Sequence, residues 1–313
     1  MKRRKLGATG IEVSEISFGA WQTGNKKDWA AMDDKTAYAL AEEAIGRGVN
    51  LFDTAPNYGG GRSEALLGKI LQGRRQQVVL VSKFGHKPDG TQDYSVEAFR
   101  KSLAGSLARL QTDYLDVLLV HNPPARMYDG DNPVWDALEA ARQQGKIRFY
   151  GASLDFAAEI EACLNNTGST VVEILFNILH QDARRAFPLV RRKKTGVIVK
   201  VPLDSGWLTG RFNAESSFDG VRQRWSMGEI SRRAGLVAAL DWLTADGSSL
   251  AHKALSYPLS YQEVSCVIPG MRTRGQLLDN LAAAGCTLTL GERERLERFW
   301  NEFTNAGKSL LPW

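Results

Sequence analysis

The run "YLDVLLVHN", Tyr114 to Asn122, decides the reading of this chain. After Asp116 it holds four apolar residues in succession and ends in His121. A strand with one wet face alternates apolar and polar residues, whereas a continuous apolar run suits a strand buried on both faces, as in a parallel sheet covered by helices. Working outward, the same kind of run recurs as "VVLVSKFG" (Val78–Gly85), "NLFDTA" (Asn50–Ala55) and "ISFGA" (Ile16–Ala20) on one side. On the other side stand "IRFYGAS" (Ile147–Ser153), "VVEILFN" (Val171–Asn177), "GVIVKVPL" (Gly196–Leu203) and "VSCVIPG" (Val264–Gly270).

Segments of helical periodicity separate them, among them "KTAYALAEEAIGRG", "SVEAFRKSLAGSLARL", "NPVWDALEAARQQG" and "TRGQLLDNLAAAG". Their apolar residues recur at three- and four-residue steps, and several end in Gly. Eight strands alternating with helices predict an α/β fold of the (β/α)8 TIM barrel type. "RRKLGATGIEVS" reads as an N-terminal β-hairpin plugging the bottom, and the tail beginning "GERERLERFWNEF" as an extra C-terminal helix. A doubly wound sheet is the alternative, but no G-x-G-x-x-G follows the first strand. Residues 204–247 exceed the simple rhythm and read as a long loop with an added helix. One domain spanning 1–313 is expected.

Composition narrows the function. Apolar residues make up 43% of the 313, enough for a large core, and the formal charge is only +5. The densest basic run, "RRKK" at Arg191–Lys194, suits a solvated helix end, and no DNA-reading motif accompanies it. Nucleic acid and membrane are not expected partners, since no stretch approaches the ~18 apolar residues of a span. Cys163, Cys266 and Cys286 show no metal-type spacing, which suits a reducing, cytoplasmic setting. The four histidines likewise predict no metal site.

In a barrel the C-terminal strand ends converge on one face. Those ends carry Asp53 (with Tyr58 after it), Lys83, His121, Ser153, Glu173 with Asn177, and Lys200. Each has an ordinary structural reading: Asp53 as a cap, Lys83 snorkelling, His121 as a satisfied core histidine. Together they make a coherent acid–base set. A Lys ammonium beside Tyr58 lowers the phenol pKa, a carboxylate holds the Lys, and His121 polarises a carbonyl. No Ser or Cys nucleophile stands with a base, which leaves hydride from a bound cofactor as the simplest attacking group.

At these residues the sequence resembles the aldo-keto reductases. The resemblance runs through "DTAPNYGGGRSEALLG", "VSKFG", "YLDVLLVHNP", "GKIRFYGAS", "VPLDSGWLTGRF" and "VIPGMRTRGQLLDN". It implies a catalytic tetrad of Asp53, Tyr58, Lys83 and His121, with Tyr58 as general acid, and an extended NADP(H) cofactor. By the same resemblance Ser153 and Glu173 fall at nicotinamide contacts, and Leu203, Ser205, Gly206 and Leu208 on a loop over the pyrophosphate. Gly270, Arg272, Thr273, Gln276 and Asn280 fall at the adenosine end, with Arg272 and Thr273 on the 2′-phosphate. Three residues depart from the family pattern: Leu154 replaces Asn, Glu173 replaces Gln, and Lys200 replaces a stacking aromatic.

Trp21 and Phe84 are expected to line the substrate pocket, with Trp207 and Trp225 either there or in the core. The expected activity is NADP-dependent interconversion of an aldehyde or ketone, such as a sugar or other small carbonyl, with its alcohol, by a monomer. The alternative is a nicotinamide-binding regulatory module of the channel β-subunit type.

Overall fold

The computed structural model describes residues 1–26, 28–128 and 131–313. Strands β1 (Arg3–Lys5) and β2 (Glu12–Ser14) pair antiparallel as the expected hairpin. Eight parallel strands follow among the described residues: β3 (Phe18–Gly19), β4 (Leu51–Asp53), β5 (Val79–Phe84), β6 (Leu115–His121), β7 (Ile147–Leu154), β8 (Val171–Leu175), β9 (Gly196–Lys200) and β10 (Cys266–Val267). Each neighbours the next in chain order, and parallel bridges Ile16–Val267 and Gly19–Gly270 join the last to the first. The doubly wound alternative is thereby excluded, because a doubly wound sheet reverses its strand order and leaves two free edges.

Ten α-helices are described, α1 (Asp34–Gly46), α2 (Arg62–Ile70), α3 (Val96–Leu110), α4 (Pro133–Gln143), α5 (Ala157–Asn166), α6 (Phe187–Lys193), α7 (Met227–Ala238), α8 (Leu250–Leu259), α9 (Arg274–Ala282) and α10 (Leu290–Phe303). Their starts are chemically marked. Asp33 accepts from Thr36 N, Ser95 from Ala98 N and Thr273 from Gln276 N, each supplying an acceptor that the first turn lacks.

Side-chain alternation explains why the strands are apolar throughout. Leu80, Phe84, Leu118 and Val120 point outward into the large core beneath the helices. Val79, Val81, Val117 and Leu119 point inward, where Leu6, Ile11 and Val13 of the hairpin region fill the barrel bottom. The interior is packed with apolar side chains low down, and polar residues come toward the ends of β4 to β9. The long segment after β9 has its own core: Trp207, Phe212, Phe218 and Trp225 pack on Ile230 and Val237 of α7. Trp207 and Trp225 are thus packing residues. No helix among the described residues is long and apolar enough to cross a membrane.

Candidate active site

By the same parity, Asp53, Lys83, His121, Ser153, Glu173 and Lys200 face inward at or near the ends of six successive strands, β4 to β9. Register places His121 opposite Ser153 and Ser153 opposite Glu173. Lys83, fully buried, is the hub. Its Nζ donates to both Asp53 carboxylate oxygens at 2.7 and 2.6 Å and to the Thr54 carbonyl at 3.2 Å. The Tyr58 hydroxyl lies 3.5 Å away and Glu173 Oε2 3.2 Å away.

Tyr58 reaches this hub from a tight turn after β4. Gly59, Gly60 and Gly61 all take positive φ, and a Cβ on Gly59 would stand 2.7 Å from the Gly24 carbonyl, so the turn needs glycine there. The following Ser-Glu pair anchors it. Ser63 Oγ donates to the Ala20 carbonyl and bonds Thr54 Oγ1, while buried Glu64 accepts from Ser82 Oγ and from Arg109 Nε.

The electrostatics differ from expectation at Tyr58. Lys83 does pull the phenol pKa down, but burial pushes it up more, and Asp53 and Glu173 add to the rise. The net direction is upward, so Tyr58 stays protonated. Lys83 stays an ammonium although burial disfavours it, because the two carboxylates and Tyr58 hold the charge. Burial, then the charges of Lys83, His86 and Lys200, drives His121 well below the ordinary histidine range, so its ring is neutral. Its Nδ1 has no hydrogen-bond partner among the described residues. Asp53 is pushed up, by burial first and then by the neighbouring Glu173 charge, which stays ionised against Lys83 and Lys200.

A cavity of about 560 Å³ opens over this cluster and is walled by Tyr58, His121, Glu173 and Lys200 at one end and by Gln276 and Asn280 at the other. Trp21 lines it as expected, stacked on Tyr58 with centroids 5.9 Å apart. Phe84 does not: it takes the outward parity next to Lys83 and packs edge-on against Phe99 of α3. Leu203, Ser205, Gly206 and Gly270 line the cavity, whereas Leu208 is fully buried in the outer core. Leu154 likewise faces the helices.

Ser153 lies buried beneath the wall, donating to Glu173 Oε1 at 2.9 Å and accepting from Lys200 Nζ at 2.9 Å. Lys200 is also paired with Asp155 at 2.8 Å and donates to Asn122. Thr273 caps α9, and Arg272 is held through its N–H by Gln276 Oε1, with a buried Nε lacking a partner among the described residues. Arg274 pairs with Glu43 on the surface.

Four wall residues escape a strand-end reading. His86 stacks on His121 at 4.3 Å, Asn122 bonds Asp155, and Trp29 and Trp313 arrive from segments with no strand of their own. Arg222 is a fifth: it bonds the Ser205 carbonyl and lies over Trp29 and Phe212 at 4.9 and 5.1 Å. Only the "HNP" and "KFGH" neighbourhoods offered any signal, as polar residues just beyond a strand end. No cluster of metal-ligating side chains occurs among the described residues.

Comparison with known proteins agrees with this arrangement. L-galactose dehydrogenase of Arabidopsis thaliana is 33% identical over 300 residues, covering 92% of this chain and 89% of that one. A probable voltage-gated potassium channel subunit beta of Oryza sativa subsp. japonica is 30% identical, covering 90% and 91%. Among solved structures, the holo form of aldo-keto reductase AKR11C1 from Bacillus halodurans is similar with a TM-score of 0.81 at 28% identity over 96% of both chains. The sequence model of the aldo/keto reductase family matches residues 15–301, and the chain belongs to that family.

Proposed function

We propose that the protein is an NADP-dependent oxidoreductase interconverting a carbonyl compound and its alcohol, with Tyr58 as the proton donor. The observation that carries the reading is the buried Asp53–Lys83–Tyr58 chain ending beside a neutral His121 at the cavity wall. Family membership supports carbonyl–alcohol oxidoreduction in general.

The residues present fit a dinucleotide. The cavity is elongated between the Tyr58 cluster and α9, where Gly270, Gln276 and Asn280 line its far end. Next to that end, outside the lining, stand the capped start of α9 and Arg272, with a guanidinium nitrogen unpartnered among the described residues. A guanidinium beside a helix start suits a phosphate. When bound, a nicotinamide supplies the two-electron reducing equivalent as hydride. The chain's own part is to hold the carbonyl oxygen between the Tyr58 hydroxyl and the neutral His121 ring. Tyr58, protonated in the resting site, gives its proton to that oxygen. Lys83 offsets the charge left on the phenolate, and Asp53 fixes Lys83. Burial excludes water from the proton path.

Fluorescence titration with NADPH and NADH tests the cofactor assignment. Binding that weakens in Arg272→Ala for NADPH but not for NADH is expected, and equal affinity for both in wild type would end the role given to Arg272. The similarity to a channel β-subunit supports a second reading, a nicotinamide-binding module with weak turnover. Turnover of a panel of small aldehydes no greater than that of Tyr58→Phe would favour it.

A further inference from the structure

The charges around Lys83 do not balance. Among the described residues, two buried carboxylates, Asp53 and Glu173, face one buried ammonium. Asp53 takes Lys83 with both oxygens, and so uses most of that charge. The next cation, Lys200, is matched by Asp155 at 2.8 Å. Glu173 is left over. Its Oε1 accepts from Ser153 and its Oε2 lies 3.2 Å from Lys83 Nζ. It also stands close enough to Asp53 for the two carboxyl groups to share one proton, held on Asp53, the group that is pushed up. Glu173 is 1% exposed, yet it belongs to the cavity wall. A buried carboxylate so placed needs a cation or a proton.

We propose that Glu173 biases this site toward the oxidised, cationic form of a nicotinamide over the reduced, neutral form. The inference rests on the dinucleotide reading above. Glu173 is separated from the Tyr58 hydroxyl by the Lys83 ammonium alone, with contacts of 3.2 and 3.5 Å. A ring that exchanges hydrogen with a carbon whose oxygen sits at Tyr58 therefore lies within Coulombic reach of Glu173. In a water-poor cavity such a charge is weakly screened. The oxidised ring carries one positive charge and takes the place of the proton shared by Asp53 and Glu173 as their second counter-charge, whereas the reduced ring supplies none. Stabilising the oxidised ring would make the reduced ring the stronger hydride donor. A site of this kind therefore favours carbonyl reduction, in which the hydride would pass to the carbonyl carbon and the protonated Tyr58 would give its proton to the oxygen.

The test is a pair of dissociation constants, for NADP+ and for NADPH, measured by quenching of tryptophan fluorescence at one pH and ionic strength. Both forms carry the same 2′-phosphate, so the contribution of Arg272 cancels in their ratio. Wild type is expected to bind NADP+ at least threefold more tightly than NADPH, and Glu173→Gln to move the ratio about tenfold toward NADPH. A wild type that prefers NADPH, or a folded Glu173→Gln with an unchanged ratio, overturns the inference and leaves the cofactor reading standing. Should Glu173→Gln fail to fold, the wild-type ratio decides alone. No saturable binding of either form to wild type overturns the cofactor reading, and this inference with it.

Discussion

Tyr58 illustrates how a single residue's chemistry depends on what surrounds it. Its hydroxyl is raised in pKa by burial more than Lys83 lowers it, so the resting site holds an acid and needs a charge response only when the proton leaves. Tyr58→Phe keeps the ring stacked on Trp21 and removes only the donor. It is expected to lower kcat by about 10²–10⁴-fold while changing the NADPH dissociation constant little. Equal losses in both would remove the assignment. His121 gives a prediction with a definite sign. Its pKa is lowered on folding, so the unfolded chain binds the proton more readily. Stability is therefore retained above the ordinary histidine value of about 6.5 and lost as pH falls below it. Urea denaturation at pH 7.5 and 5.5 should show a larger loss for wild type than for His121→Asn. Arg272→Ala closes this scale, with at least a tenfold loss of NADPH affinity and no loss of NADH affinity expected.

At the scale of elements, what the sequence made legible follows from strand parity. The chain alternation that sends Val117 and Leu119 inward also sends His121 inward, so strand ends alone locate Asp53, Lys83 and His121 on β4, β5 and β6. Tyr58 instead stands in the turn beyond β4, where no parity applies. Phe84 follows the same rule in the opposite sense: as the neighbour of an inward Lys83 it must face the helices. Leu208 and Trp207 were less readable, because a loop has no parity and their burial depends on the packing of residues 204–225 on α7. Arg222 and Trp313 reach the cavity across long sequence separations, and no local pattern marks them. The turn that carries Tyr58 depends on one element joint. Glu64 on α2 holds Ser82 of β5 and Arg109 of α3 at once, all at short range. Glu64→Ala strands a buried hydroxyl and a guanidinium together, and should cost roughly 2–4 kcal/mol of stability. A loss of kcat in the folded variant should accompany it, because the Tyr58 turn loses its anchor.

Across the whole molecule the two ends of the barrel have different duties. The top gathers buried charge, two carboxylates against one ammonium, and sets that arrangement in a cavity. The bottom is apolar and closed by the hairpin region, where Leu6 is fully buried and lies against Gly196 closely enough that a Cβ there would stand 2.8 Å from it. Stability to support the charged top therefore comes from packing well away from it. Leu6→Ala leaves a void among the inward strand residues it packs with, and should cost roughly 2–5 kcal/mol in chemical denaturation. The proposed acid–base residues Asp53, Lys83 and His121 lie at the opposite ends of the same strands, so the folded Leu6→Ala protein should keep the wild-type kcat. If kcat instead falls in step with stability, the barrel interior transmits strain along its strands, and the separation of a supporting bottom from a reactive top does not hold for this chain.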